Sequence, residues 1–120
     1  KLVPRLEPIK RSRYSCFGSE DLTLRLEAMN TNTLIVAGME THISICPTVL
    51  DALSRGYRVH VVLNATSSTK KVNWHVALDK MRRAGAVITT MEIVMHEMIG
   101  RVDDPNYDKF MELARRELDL

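Results

Sequence analysis

"TLIVAGMETHISICPTVLDALSRGYRVHVVLNA", residues 33–65, decides the fold. Residues 33–39, "TLIVAGM", form a continuous apolar run, the pattern of a strand buried on both faces. Residues 44–56 place Ile45, Val49, Leu50, Ala52 and Leu53 on one face and stop at Gly56, which predicts an amphipathic helix with a glycine end. Residues 57–65, "YRVHVVLNA", predict a second strand. Strand, helix and strand in that order are the parts of a right-handed βαβ unit with a parallel sheet.

Outward from this unit the alternation continues. Residues 20–30 predict a helix carrying Leu22, Leu24, Leu26 and Met29. Residues 71–85 predict an amphipathic helix closed by Gly85, 86–91 a strand, and 92–100 a short helix. Residues 104–120 predict a helix opened by Asp104-Pro105, an N-cap and first-turn pair. The fold class expected is therefore α/β, a three-layer α/β/α arrangement with a mostly parallel Rossmann-like sheet.

The 120 residues suffice for one compact domain, expected to span 1–120. Apolar residues make up 45% and charged residues 27%, ordinary values for a globular chain. A net charge of +2, with only short basic patches at 10–13 and 80–83, argues against a nucleic-acid partner. No apolar run approaches the roughly 20 residues of a membrane span, so no membrane partner is expected. Cys16 and Cys46 make no disulfide framework, which fits a reducing, cytoplasmic setting. "LVPR" at 2–5 resembles part of a protease-tag site, and coincidence is the better reading because Gly-Ser does not follow.

Ligands of such sheets bind at the carboxyl ends of the strands. "GMETHISICPT", 38–48, is such an end. Gly38 allows close backbone approach, and Thr41 or a neighbour can cap the following helix. The free N–H groups and positive dipole end there would serve a nucleophile and its oxyanion. A plain strand-to-helix turn explains the same residues. Ser44 and Cys46 are two residues apart, about 200° on a helix, so if Ser44 faces a site then Cys46 faces the core. Pro47 is easiest in a first helical turn, which puts the start of regular helix near residues 44–46.

The run "LIVAGMETHISICPTVLDALSRGYRVHVVLNATSS" (34–68) resembles the isochorismatase-like cysteine hydrolases, in particular the isochorismatase domain-containing subgroup. "KRSRYSCF" (10–17) is similar to that family's K-x-x-[YF]-S-x-F, and 81–113 resembles its later motifs. The resemblance implies hydrolysis of a small amide, ester or related polar molecule by an Asp–Lys–Cys triad through an acyl-enzyme. It puts Ser44 in the nucleophile's place and the backbone N–H groups of Glu40 and Ser44 as oxyanion donors. It puts a cis peptide between Met39 and Glu40. It implies a first, central strand that nothing before Lys10 supplies, so the family's N-terminal strand is expected to be missing from this chain. Without it the 33–39 strand would be an open edge.

Three departures bear on activity. Serine is a weaker nucleophile than cysteine unless a base takes its proton. The family lysine falls on Lys10 or, by strict spacing, on Arg11, and arginine cannot act as a base. The triad aspartate belongs to the family's first strand, which nothing before Lys10 supplies. Asn64 also replaces the aspartate usual before "A" at the end of the next strand. Whether the chain is an active enzyme is thus left open. The readings are an impaired hydrolase with Ser44 and Lys10 as catalytic residues, or a non-catalytic isochorismatase-fold oligomer that binds or scaffolds.

Around the site, Tyr14 and Phe17 are candidates for pocket walls and His42 for a substrate contact. His60 and His75 read as ordinary strand and helix residues. No metal is expected, since His42, His60, His75 and His96 form no ligand spacing, and no cofactor, since there is no Gly-rich phosphate loop. Trp74, Met81, Met91, Met95 and Met98 read as core or subunit interface, which fits a homo-oligomer, dimer or tetramer. The expected partner is a small-molecule substrate.

Overall fold

A computed structural model describes residues 7–117. The 2–5 segment and the last three residues of the expected 104–120 helix lie outside the described residues. The elements are α1 (Glu20–Ala28), β1 (Thr33–Met39), α2 (Cys46–Ser54), β2 (Arg58–Ser67), α3 (Lys71–Arg83), β3 (Val87–Thr89), α4 (Met91–Ile99) and α5 (Tyr107–Glu117). A 3-10 turn at Cys16–Gly18 precedes α1, and a π-helical turn at Thr41–Ile45 precedes α2.

Among the described residues the strands form one parallel sheet in the order β1-β2-β3. Leu34 stands opposite Val59, and Val36 opposite Val61. Because the order advances in one direction, right-handed crossovers put α2 and α3 on the same face. There Val49 and Ala52 of α2 meet Val59 and Val61 of β2 and Ala77, Leu78 and Met81 of α3 in the main core. The alternate residues point to the other face, where Ile35 and His60 share a hollow with Val94, Glu97 and Met98 of α4. The α/β/α layering expected from the alternation is thus present.

The strand 33–39, expected to be buried on both faces, is not: Ile35 is 51% and Met39 68% exposed. Only β2 flanks β1 among the described residues, and α4 packs on β2, so β1 keeps an open side. The expected strand 86–91 is shorter, Val87–Thr89, because Thr90 leaves the sheet to accept the Ile93 N–H as N-cap of α4. The last helix begins at Tyr107 rather than 104, since Asp104 uses its side chain to close a turn on the Asn106 N–H. Met81 is fully buried, which makes it core.

Candidate active site

The chain leaves β1 through a distorted end. The β1–β2 register shifts between Val36 and Gly38. Gly38 has φ +123°, a conformation that side chains rarely adopt, and a Cβ there would meet Ile45 Cδ1 at 3.5 Å. The Met39–Glu40 peptide is cis, at the position the family resemblance implied. Glu40 then takes the N-cap position of the π-helical turn without a side-chain cap bond. The cap is therefore not Thr41, whose hydroxyl is buried and donates to the Ser67 carbonyl at 2.9 Å. Regular α-helix starts at Cys46, with Pro47 in its first turn.

Ser44 is only 8% exposed. Its Oγ accepts a hydrogen bond from Arg11 Nη2 at 2.5 Å. Its carbonyl accepts from the Thr48 hydroxyl at 2.7 Å, and that hydroxyl oxygen in turn accepts the Cys16 N–H at 2.9 Å. The segment around residues 11–16 is thereby strapped to the start of α2. Lys10, the lysine candidate, is exposed, and Arg11 holds the place beside Ser44. The extended chain here has no periodicity that would have chosen between these neighbours.

Of the two expected oxyanion donors, the Ser44 N–H is engaged inside the turn. The Ser44 N–H donates to the Glu40 carbonyl at 3.0 Å, an oxygen that also takes the Ile43 and Ile45 N–H groups. The Ser44 amide is therefore committed within the turn, because a π-helical turn converges several N–H groups on one carbonyl.

The pocket candidates also divide. Phe17 is 7% exposed and stacks obliquely on Tyr57 in the core, with the Arg55 guanidinium over its ring, so it is no pocket wall. Tyr14 is 70% exposed. His42 reaches the loop after β2, its Nδ1 3.0 Å from Ser68 Oγ. Glu40 reaches the same loop and accepts from the Thr69 N–H at 3.0 Å and the Thr69 hydroxyl at 2.7 Å. Those two hydrogen bonds, the backbone one first, hold the Glu40 carboxyl below its ordinary range, with nearby His42 adding to the effect. Glu40, His42, Ile43, Thr69, Lys70 and Asn73 line an open cleft there. Ser68 and Thr69 were invisible as site residues in the sequence, since nothing local marks a contact made across 26 to 29 residues.

Cys46 is buried, and burial pushes its thiol up, away from thiolate formation. Asn64 accepts the Met91 N–H at 2.8 Å and so serves the start of α4. Among the described residues no three His, Cys, Asp or Glu side chains group as metal ligands. No helix among them is long and apolar enough to cross a membrane.

Residues 1–93 match the isochorismatase domain. Isochorismatase domain-containing protein 2 of Xenopus laevis is 40% identical over 118 residues, covering 94% of this chain and 56% of that protein. Isochorismatase domain-containing protein 1 of Salmo salar is 30% identical over 105 residues, covering 88% of this chain and 37% of that protein. The chain thus spans about half the length of the curated relatives it matches. Among solved structures, MAR1 ribonuclease from Caenorhabditis elegans superposes with a TM-score of 0.80 at 30% identity, over 86% of this chain and 52% of that one. Nicotinamidase from Bacillus subtilis gives 0.63 at 30%, over 66% and 44%. An octameric hydrolase of unknown specificity from Escherichia coli gives 0.82 at 24%, over 92% and 54%, a likeness of fold.

Proposed function

The chain belongs to the isochorismatase family, in its isochorismatase domain-containing subgroup, and from that premise we propose that the turn at Ser44 is a hydrolase site for a small amide, ester or related polar molecule. One observation carries the reading: a nearly buried hydroxyl stands at the carboxyl end of a parallel strand, at the start of α2, held by a cation. Ser44 Oγ would attack the carbonyl carbon and expel the amine or alcohol, its proton passing through a base to that leaving group, and water would then release the acyl group. Arg11 cannot take that proton. Turnover in this chain is accordingly slow, and acylation stalls at the proton transfer. Lys10, exposed beside Arg11, would need a displacement of the segment to serve as that base.

The test is to treat the full chain with an activated ester and map acylation by peptide mass spectrometry. Slow modification at Ser44 is expected. Ser44→Cys combined with Arg11→Lys should speed both adduct formation and turnover of small amides and esters. A double variant with neither adduct nor turnover would sink the reading. A short RNA belongs in the same panel, because a solved relative at 30% identity is described as a ribonuclease. RNA cleavage dependent on Ser44 would replace the carbonyl substrate.

The competing reading is a non-catalytic, oligomeric binding module, which the Arg11–Ser44 pair favours by removing the base. Self-association as a dimer or tetramer fits either reading, and the octameric relative supports it at the level of the fold. A cytoplasmic location and a site without metal or cofactor complete the proposal.

A further inference from the structure

We infer that the Arg11–Ser44 pair is a binding site for the carboxylate group of a small ligand, an inference that rests on the Ser44 turn being the ligand site. The argument is a count of donors and acceptors. Guanidinium has five N–H donors and no acceptor. Arg11 spends one on Ser44 Oγ and one on the Arg13 carbonyl, which leaves three without a partner among the described residues. Ser44 Oγ accepts from Arg11 and keeps its own proton and one lone pair. The pair is therefore donor-rich: three N–H groups and one O–H against the single remaining lone pair of the hydroxyl. Arg11 is exposed and within reach of a ligand, while Ser44 is nearly buried beneath it.

The surroundings do not cancel that polarity. Glu40, the acidic residue of the turn, has its carboxylate directed onto Thr69, on the side of the turn that also holds His42. The Thr48 hydroxyl gives its proton to the Ser44 carbonyl. The start of the helix adds a positive dipole end. A planar guanidinium fork with a neighbouring hydroxyl matches a carboxylate in shape as well as charge. A neutral amide offers one acceptor oxygen and no charge, so it binds this pair more weakly than a carboxylate.

Isothermal titration of the full chain at fixed ionic strength tests this with benzoate, benzamide and inorganic phosphate. Saturable benzoate binding is expected, with benzamide at least about tenfold weaker. Arg11→Gln should weaken benzoate about tenfold or more, and Ser44→Ala by a smaller factor, with circular dichroism checking that each variant is folded. Benzamide binding as tightly as benzoate, benzoate binding unchanged in Arg11→Gln, or phosphate binding without benzoate would each overturn the inference. These probes are not hydrolysed, so the outcome is independent of turnover. A chain that binds benzoate but never acylates keeps this site and loses the hydrolase, and the converse result separates them the other way.

Discussion

Arg11 and Ser44, 33 positions apart in sequence, meet as donor and acceptor at 2.5 Å. The contact sets the chemistry of the turn, because a cation that cannot release its proton stands where a base would be needed. It also means that a thiol placed at residue 44 would be favoured as thiolate by the same cation and by the helix start. Ser44→Cys should be alkylated by iodoacetamide at neutral pH at least about ten times faster than Cys46. Peptide mass spectrometry across a pH series measures both. Equal rates would show that the guanidinium does not act on that position.

Glu40 couples the site turn to the loop after β2 through Thr69. Its pKa is depressed in the folded chain, so its contribution is complete above the ordinary glutamate range and is lost as pH falls through the depressed value. Protection of the Thr69 amide from hydrogen exchange should fall over that acid window. Glu40→Gln should abolish the pH dependence and leave the amide poorly protected throughout. A Thr69 amide indifferent to both changes would contradict the coupling.

Thr48 is nearly buried, accepts the Cys16 N–H and donates to the Ser44 carbonyl. Thr48→Val keeps the shape but leaves that N–H without its acceptor, at a cost of about 1–3 kcal/mol in urea unfolding. Thr48→Ser keeps the hydroxyl and should cost visibly less.

Met81 is fully buried where α2, α3 and β2 converge. Met81→Ala should cost about 2–5 kcal/mol by the same measurement. Val102, 75% exposed, is the control, and Val102→Ala should stay within about 0.5 kcal/mol.

Asn64 caps the approach to α4 through Met91. Asn64→Ala should lower the thermal midpoint by the few degrees that about 1 kcal/mol gives. Asn64→Asp retains an acceptor oxygen and should leave it nearly unchanged.

Most of the fold was legible because the apolar runs at 33–39 and 57–65 and the helical spacing at Ile45, Val49 and Ala52 depend on local periodicity. The inward direction of Cys46 was legible from helix rotation. What stayed hidden depends on distant contacts. The choice of Arg11 over Lys10 is made by a side chain reaching across to the turn before α2. The exposure of Ile35 depends on how many strands flank β1. Phe17 looked like a wall because the resemblance puts it near the site lysine, and only the packing of Tyr57 and Arg55 around it shows that it belongs to the core. The commitment of the Ser44 amide follows from a π-helical turn, which leaves no composition signal.

The one-way strand order has a kinetic consequence. Thr33 pairs with Arg58, and His60 with Val87, so each strand joins its nearest sequence neighbour over a crossover of similar length. Neither pairing requires the other first, and each is completed by a helix made between its two strands. Loop-closure entropy is then met in two comparable steps. The β1–α2–β2 unit is the natural nucleus, because both the core and the turn at Ser44 draw on it. Substitutions at Val49 or Val61 should therefore slow folding, whereas those in α5 should mainly hasten unfolding.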